Sequence, residues 1–438
     1  MLLIYTTASS ARLNYIFDLF FKELFGIAFT VTHDTALFKS SAYPKLNYST
    51  EPFADELFFY ASGLLEEKGI RKQEISVFDW NDTKGFFATH PKYIFPFDPF
   101  AAAFYLVSRY EEYLPFQRDR YDRFDAKESL AYEKGFLQKP LVNIWAKKIQ
   151  QLISEKYPQL KFIKCSYQYI STIDIDNAYA YKEKGLMRTG GALLRSLSRV
   201  SFKEISDRAS VLLGYRKDPY DTYDILHVIQ QHYALNCIYF FLLGDYGEND
   251  KNVPASRKKF QSLIKSIADY SDVGIHPSFG SNAVPSKLRR EISTLKKVLK
   301  RDVTKARQHF LMLQFPATYR RLIDHDITDD YTMGYSGDVG FRASICTPFY
   351  FYDLEHETAT KLKIHPFAVM DATLKYYLNL KPEEAISYIE PLIKEVRSVD
   401  GTFMSLWHNE SLSEMSPWEG WRPVYEQLVK IASPKNPA

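Results

Sequence analysis

The alternation of short apolar runs with helix-period segments beyond residue 160 restricts the fold of this chain more than any other feature. Runs with strand character lie at 167–176, 236–244, 272–276, 305–313 and 402–408, and helix-period segments include 221–234, 286–300, 316–323, 382–399 and 421–431. Repeated strand-then-helix units produce a parallel sheet with helices packed on its faces. This many units in succession favour a sheet that closes into a barrel over an open sheet. We therefore predict an α/β fold dominated by a barrel-like parallel sheet.

The first 160 residues predict a smaller α/β domain of their own. A helix-period stretch lies between two apolar strands at 2–5 and 27–31, which makes a βαβ opening. A chain of 438 residues is also long enough to need two cores. A long predicted helix ends just before Pro158, and we place the domain boundary there. The predicted domains are 1–160, to which the sequence assigns no role, and 161–438, the barrel.

The composition excludes several classes of partner. The net charge is only +3, and no Lys/Arg block recurs with interleaved aromatic residues, so nucleic acid is not indicated. The apolar N-terminal segment has no basic residue before it, and no later apolar run is long enough to span a bilayer. Cys165, Cys237 and Cys346 are widely spaced without a C-x-x-C pair. This spacing favours reduced thiols in a cytoplasmic protein over disulfides or zinc ligands.

Two aspartates follow the apolar run that opens the second domain. In Tyr167-Gln-Tyr-Ile-Ser-Thr-Ile-Asp-Ile-Asp176, Asp174 and Asp176 are two residues apart, so in an extended strand both side chains project to the same side. Two like charges on one face repel, unless a cation lies between them or one carboxylate keeps a proton. The pair therefore indicates a metal site or an acid/base site. The alternative is an Asx-turn in which Asp176 or Asn177 ends the strand.

Other candidate residues fall near the ends of the later predicted strands. His276 ends the third strand of the barrel, and Pro277 keeps the histidine backbone extended. Arg307 and His309 lie on the fourth predicted strand, and His408 ends the strand before the last helix. Parallel α/β barrels carry their chemistry at the carboxyl ends of the strands. We therefore expect these side chains and the two aspartates to meet at one edge of the sheet.

The order of these motifs resembles that of a known family. Thr172-Ile-Asp-Ile-Asp176, Gly274-Ile-His276-Pro-Ser, Arg307 and Leu406-Trp-His408-Asn look like the successive motifs of the NodB-type polysaccharide deacetylases. The segment from Phe104 to Tyr113 is similar to the α/β region that precedes this domain in some bacterial proteins. The resemblance spans nearly the whole chain, and its specificity comes from the order, because each motif is short. It implies a distorted parallel (β/α) barrel of the polysaccharide deacetylase type.

The resemblance also implies a division of roles. In that family one aspartate and two histidines hold a divalent metal, usually zinc, and the other aspartate is the general base. Carried over to this chain, Asp174 would be the base, and Asp176 and His276 would be metal ligands. Arg307 would match the arginine that orients the base, and His408 the histidine that protonates the leaving amine.

The sequence departs from the family pattern at position 280. The second ligand histidine of the family stands four residues after the first, where this chain has Gly280, with Ser278 and Ser281 nearby. A serine hydroxyl is a poor zinc ligand compared with imidazole. A metal would therefore need His309, a possible third ligand, or His408, or would be held weakly or be absent.

Three further residues have open assignments. Arg342, in Gly340-Phe-Arg-Ala, competes with Arg307 for the orienting role, and a structural salt bridge is its alternative. Trp407 and Asn409 flank His408 and are candidate substrate-binding residues. An indole can stack against a sugar, but a place in the core suits this tryptophan equally well.

Two functions of different classes follow. The first is a metal-dependent de-N-acylase that hydrolyses the acetamide of an N-acetylated sugar or polysaccharide. The second is a catalytically silent relative that binds carbohydrate or serves as a scaffold. Gly280 favours the second function. The two aspartates with His276 and His408 favour the first, because a binding module has no need of a paired-carboxylate base.

Overall fold

The structure is a computed structural model that describes residues 1–184 and 202–434. Part of the basic, serine-rich segment 182–217, for which short helices are predicted, lies outside these residues, and the part inside them includes the helix Phe202–Leu212. None of the helices in the described part of the chain is long and apolar enough to cross a membrane.

The N-terminal part of the chain forms a four-stranded parallel sheet. Its strands are β1 (Leu2–Thr6), β2 (Phe29–Thr32), β3 (Lys45–Ser49) and β4 (Leu57–Tyr60), in the order β2-β1-β3-β4. β1 is buried along its whole length and pairs in parallel with both β2 and β3. The predicted βαβ opening is therefore confirmed. A separate antiparallel pair follows, β5 (Phe78–Trp80) and β6 (Thr83–Gly85).

The second half of the chain contributes a nine-stranded sheet. Its strands are β7 (Gln168–Ile175), β8 (Asn236–Leu242), β9 (Asp272–His276), β10 (Lys305–Ala306), β11 (Asp329–Asp330), β12 (Phe349–Asp353), β13 (Thr358–Ile364), β14 (Val369–Met370) and β15 (Thr402–His408). The order is β12-β13-β11-β10-β9-β8-β7-β15-β14. Every neighbouring pair is parallel except β12 with β13. The prediction of a parallel α/β fold is confirmed.

Helices cover the sheets and connect their strands. The α-helices of the described residues are α1 (Ala11–Phe17), α2 (Thr35–Ser40), α3 (Pro99–Val107), α4 (Leu130–Glu133), α5 (Leu141–Lys156), α6 (Phe202–Leu212), α7 (Tyr223–His232), α8 (Lys258–Ala268), α9 (Phe279–Ala283), α10 (Pro285–Leu299), α11 (Ala317–Ile323), α12 (Pro382–Ser398) and α13 (Trp421–Ala432). Asp18–Leu24 and Thr373–Tyr377 are π-helical, and Tyr110–Tyr113, Ala126–Glu128, His309–Leu311 and Asn409–Leu412 are 3-10 turns.

The residue pattern accounts for these elements. α8 buries Phe260, Ile264 and Ile267, which lie on one face at helical spacing, while its lysines face outward. β8 has six consecutive buried residues, as expected of a parallel strand that is covered on both sides.

Strand pairing does not close the larger sheet into a barrel within the described residues. The order has two ends, β12 and β14. Within the described residues, β14 pairs only with β15. The short connection between β13 and β14 contacts two other parts of the sheet, because Phe367 N–H donates to Met333 O, three residues after β11, and Ala368 N–H donates to Met404 O of β15.

The sequence prediction differs from the structure at two places. The strand expected over 305–313 ends after Ala306, and His309 lies in a 3-10 turn instead. Its next residue, Phe310, has a φ of 59°, in the left-handed region, which no strand can accommodate. The antiparallel hairpin β12–β13 was not predicted, since a hairpin breaks the strand-then-helix rhythm.

A buried charge network joins the two halves of the chain. Glu112 accepts hydrogen bonds from Arg109 Nε at 2.7 Å and from Arg342 Nε at 2.8 Å. Burial opposes ionisation of Glu112, but the two guanidinium groups outweigh it and hold its pKa below the ordinary value. Arg109 also donates to the carbonyl oxygen of Arg342. Arg342 therefore has a structural salt bridge, which was the alternative to its orienting role.

Candidate metal centre

The candidate residues meet at the carboxyl edge of the nine-stranded sheet. His408 of β15 lies opposite Asp174 of β7 in the pairing register, and His276 of β9 lies opposite Leu242 of β8. Arg307 follows β10, which pairs with β9. The register therefore brings residues that are up to 234 positions apart to the same edge.

Asp176, His276 and His309 form a set of three potential metal ligands. Each offers one ligand atom, and these atoms all lie within 4.8 Å of one another. His276 Nε2 is 3.2 Å from Asp176 Oδ1, and His309 Nε2 is 3.3 Å from Asp176 Oδ2. Two imidazole nitrogens and one carboxylate are a ligand set that suits zinc. The structure thus brings together the two ligands implied by the resemblance and the possible third ligand.

The hydrogen bond that each Nδ1 makes determines which nitrogen of His276 and of His309 faces the centre. His276 Nδ1 lies 2.5 Å from the carbonyl oxygen of Arg307, and His309 Nδ1 lies 2.8 Å from Asp250 Oδ1. Carbonyl and carboxylate oxygens accept, so each Nδ1 carries the hydrogen and each Nε2 is directed at Asp176. Metal-binding histidines are usually held in this way.

The Asp176 carboxylate provides the oxygen of the ligand set. Its Oδ1 is buried and has no hydrogen-bond partner among the described residues. Burial opposes ionisation, but the nearby charge of His309 outweighs it and holds the Asp176 pKa well below its ordinary value. An ionised, buried oxygen without a donor is expected where a cation binds. The residues present therefore fit a divalent metal.

Position 280 takes part in the site without supplying a ligand. The backbone N–H groups of Phe279 and Gly280 donate to the two oxygens of Asp250, at 2.8 and 3.1 Å. Asp250 in turn holds His309, so the third candidate ligand, which is the second imidazole, comes from the turn after β10 and not from position 280. A Cβ at Gly280 would lie 3.1 Å from Lys287 Nζ and 3.6 Å from Asp250 Oδ2. Sequence reasoning missed Asp250, which lies in an irregular loop.

Asp174 is paired with Arg307. Arg307 is fully buried, and its Nη1 donates to Asp174 Oδ1 at 3.0 Å and to Thr172 Oγ1 at 2.7 Å. Its Nε donates to the carbonyl oxygen of Tyr331 at 2.9 Å, so the guanidinium is fixed at both ends. The other Asp174 oxygen lies 3.6 Å from His276 Nε2 and faces the ligand set. Of the two arginines considered, Arg307 is the one that contacts Asp174.

His408 is paired with Asp371, a second residue that sequence reasoning missed. His408 Nδ1 is 2.8 Å from Asp371 Oδ1, and the His408 backbone N–H donates to Asp371 Oδ2 at 2.8 Å. Burial opposes protonation of His408, but Asp371 outweighs it and raises the His408 pKa well above the ordinary value. His408 Nε2 faces Asp176 Oδ2 at 3.6 Å. Asp371 directly follows β14, a strand of only two residues that the sequence pattern does not mark.

The two proposed substrate contacts lie elsewhere. Trp407 is fully buried and packs its ring 5.6 Å from Tyr425 of α13. It points to the opposite face of β15 from His408, as alternation requires, so it does not line the site. Asn409 is also fully buried, and its Nδ2 donates to the carbonyl oxygens of Asn177 and Tyr220. Both assignments are corrected: these side chains support the core and the loop after β7.

Comparisons with known proteins give one family match, to part of the chain. Residues 2–158 match a family of unknown function, DUF7033. No curated protein matches. A putative polysaccharide deacetylase from Mycobacterium smegmatis is a similar solved structure, with 13% identity, 62% of this chain and 86% of that chain covered, and a TM-score of 0.41.

Two further solved structures are similar at the same level. A probable polysaccharide deacetylase from Pseudomonas aeruginosa PAO1 has 10% identity, covers 62% of this chain and 86% of its own, and has a TM-score of 0.38. A CE4 family pseudoenzyme from Bacillus anthracis has 10% identity, 60% of each chain covered and a TM-score of 0.29. These values do not assign the chain to a family.

Proposed function

We propose that this protein is a metal-dependent amidohydrolase that removes the acyl group from an N-acylated sugar. The observation that carries the proposal is the Asp176 carboxylate, whose two oxygens each face one imidazole nitrogen, Oδ1 that of His276 and Oδ2 that of His309, and whose buried Oδ1 has no hydrogen-bond partner among the described residues. Two acid–base pairs, Asp174 with Arg307 and His408 with Asp371, lie beside it. A binding module would need neither the ligand set nor the two pairs.

Asp176, His276 and His309 would hold the metal in this proposal. A divalent ion there, zinc being the best match to two nitrogens and one carboxylate, would supply a Lewis acid that polarises the acyl carbonyl and acidifies a water molecule. Asp250 and the Arg307 carbonyl would keep the two imidazole rings in place.

Asp174 would act as the general base. Its Oδ1 is occupied by Arg307, whereas its Oδ2 faces the ligand set and is available to take a proton from water. The oxygen of that water then bonds to the acyl carbon. The role of Arg307 is to hold the carboxylate in the orientation that this proton transfer requires.

His408 would act as the general acid. Asp371 accepts from Nδ1 and stabilises the imidazolium, so the proton on Nε2 is directed at the centre. That proton passes to the leaving nitrogen as the C–N bond breaks, which yields a free amine and a carboxylate. The two carboxylates at 174 and 371 therefore have opposite tasks, one taking a proton and one stabilising its donor.

A sugar as the carrier of the acyl group is supported by the motif order. Asp174, Asp176, His276, Arg307 and His408 occur in the sequence in the order that resembles the NodB-type deacetylases. The competing function, a catalytically silent binding module, is favoured by Gly280 alone. His309 weakens that argument, because it offers an imidazole in place of the one absent at 280.

Metal analysis of the purified chain separates the two functions. We expect about one zinc per chain in the wild type and a loss of zinc in Asp176→Asn and His309→Ala. Asp245→Asn is the matched control, since Asp245 is exposed and lies outside the ligand set. Acetate release from N-acetylchitooligosaccharides and peptidoglycan fragments then tests hydrolysis. A wild type that binds no metal and releases no acetate would support the silent module.

A further inference from the structure

The N-terminal part of the chain reaches the rim of the candidate centre through one loop, residues 117–125. Arg123 of this loop is buried, and its Nη1 donates to the carbonyl oxygen of Phe310 at 2.7 Å. Phe310 directly follows the ligand candidate His309. Arg123 Nη2 donates to the hydroxyl of Tyr377 at 3.0 Å. Tyr377 ends the π-helical segment that begins two residues after Asp371.

One guanidinium therefore ties the 117–125 loop to both sides of the centre. The Phe310 contact lies on the side of the metal ligands, and the Tyr377 contact lies on the side of the His408–Asp371 pair. Asp119 fixes the loop from within, because it accepts from Arg123 Nε at 2.8 Å and from the Tyr121 N–H at 2.8 Å. These hydrogen bonds therefore fix the position of Tyr121 relative to the candidate metal centre.

Three aromatic rings form a partly exposed cluster at this rim. The Tyr121 ring centroid lies 5.0 Å from that of Phe310 and 6.4 Å from that of Phe279. Phe279 and Phe310 are 5.5 Å apart, and the Phe310 ring is 4.7 Å from the His309 ring. Each of the three aromatic residues is only partly buried. The cluster is therefore continuous with the ligand set.

One feature favours a sugar ring as the occupant of this cluster, and a second fixes the position of one of its aromatic rings. The guanidinium groups of Arg120 and Arg123 lie over the Tyr121 ring at 4.7 and 5.0 Å, and the exposed Arg120 has no hydrogen-bond or ion-pair partner among residues 1–184 and 202–434. Its N–H groups are free to donate to hydroxyl groups beside an apolar ring face. Phe310 adopts a φ of 59°, which a bulky residue rarely does, and the bond from Arg123 to its carbonyl oxygen holds it there.

We propose that Tyr121, Phe279 and Phe310 form a subsite for a second pyranose ring, next to the N-acylated sugar at the metal centre. This inference rests on the proposed function. The apolar C–H face of a pyranose packs on aromatic rings, and its hydroxyl groups take the donors of Arg120. The substrate class is accordingly an oligosaccharide or polysaccharide, and the role of the N-terminal part is to complete the substrate site.

Calorimetric binding to the full chain carrying Asp174→Asn tests the subsite, because this background keeps the ligand set and lacks the base. The probes are N-acetylglucosamine and N-acetylchitotetraose. We expect Tyr121→Ala to weaken tetraose binding roughly tenfold and to leave monosaccharide binding within about twofold, since only the longer probe reaches the cluster. Tyr121→Phe retains the ring and should bind the tetraose like the parent. Tyr43→Ala is the matched control, an exposed tyrosine of the N-terminal part outside the cluster.

Three results would overturn the subsite. In the first, the Asp174→Asn parent binds the tetraose no more tightly than the monosaccharide. In the second, Tyr121→Ala leaves the affinity for the tetraose unchanged. In the third, Tyr121→Ala lowers the affinity for both probes by the same factor. Thermal unfolding checks the fold of each variant, and Phe279→Ala replaces Tyr121→Ala if the latter unfolds. Tetraose binding that depends on Tyr121 without any acetate release by the wild type would retain the subsite and reject hydrolysis. Acetate release with Tyr121-independent binding would reject the subsite alone.

Discussion

Asp250 lies 2.8 Å from His309 and accepts the hydrogen of its Nδ1, while the same carboxylate accepts the backbone N–H of Gly280. The position that lacks a ligand side chain is thus linked, through one aspartate, to the imidazole that replaces it. Asp250 is itself buried, and His309, Gly280 and Phe279 together hold its pKa below the ordinary value against the opposing effect of burial. This carboxylate can therefore act as the support of the third ligand.

We expect Asp250→Asn to weaken zinc binding about 10- to 100-fold. An asparagine has only one acceptor oxygen, so it cannot accept at both positions where Asp250 accepts from Phe279, Gly280 and His309, and it lacks the charge that holds the His309 ring with Nε2 toward Asp176. Competition with a chromogenic chelator measures the dissociation constant. Asp245→Asn should bind zinc like the wild type. An unchanged zinc affinity in Asp250→Asn would show that His309 does not depend on Asp250.

Arg307 and Arg342 are both fully buried arginines, and their different partners predict different losses. Arg307→Lys should lower kcat on the order of 100-fold, because a lysine cannot contact Asp174, Thr172 and the Tyr331 carbonyl together. Its zinc content should stay at the wild-type level. Steady-state kinetics and metal analysis measure the two quantities.

Arg342→Met is the paired variant. It leaves Glu112 buried with only Arg109 as a cationic partner, so we expect the free energy of unfolding to fall by about 3 kcal/mol. The kcat of the folded fraction should be close to that of the wild type. Urea unfolding together with active-site titration measures both. A loss of kcat at constant stability would instead assign Arg342 to the reaction.

The residues of this site that could be predicted from the sequence are those at or next to the carboxyl end of a strand. Asp174, His276 and His408 close strands of five to eight residues, and the carboxyl ends of parallel strands share one edge. Asp250 could not be predicted, because its loop has no periodicity that would place it. Asp371 follows a strand of two residues, too short to show alternation. Both lie far in sequence from the histidines that they hold.

The errors have equally specific causes. The turn at His309 depends on the left-handed φ of Phe310, and no residue pattern marks that conformation for a phenylalanine. The substrate-binding assignment of Trp407 could have been avoided from the sequence, because alternation along β15 places its side chain on the opposite face from that of His408. The barrel was inferred from the number of units, but closure depends on whether the strands at the two ends of the order pair, and the number of units does not determine that.

Asp371→Asn should lower kcat without loss of zinc. Asparagine cannot stabilise an imidazolium as a carboxylate does, so a smaller fraction of His408 carries the proton that the leaving nitrogen requires. A decrease on the order of 100-fold is expected. Substrates with a better leaving group need less protonation, so a p-nitroanilide-type amide should show a smaller decrease. An equal decrease for both substrates would argue against a proton-donating role for His408.

Asp330 predicts how stability depends on pH. It is fully buried, and burial raises its pKa to about 6 despite the hydrogen bonds that it accepts from Thr332 and the nearby charge of Arg307. Between pH 3.8 and 6 the unfolded chain loses this proton while the folded chain keeps it, so stability falls as pH rises. The cost above pH 6 is about 3 kcal/mol.

Asp330→Asn removes this titration. The free energy of unfolding of the variant minus that of the wild type should therefore increase by about 3 kcal/mol between pH 3.5 and 6.5, and level off above that range. Asp329→Asn is the neighbouring control with the opposite sign, since His365 holds the Asp329 pKa below its ordinary value despite burial. In the wild type, the contact between Asp329 and His365 stabilises the fold at higher pH, and this stabilisation is lost as the pH falls. Urea titrations across this range measure both differences, and equal slopes for the two variants would contradict the burial of Asp330 as the cause.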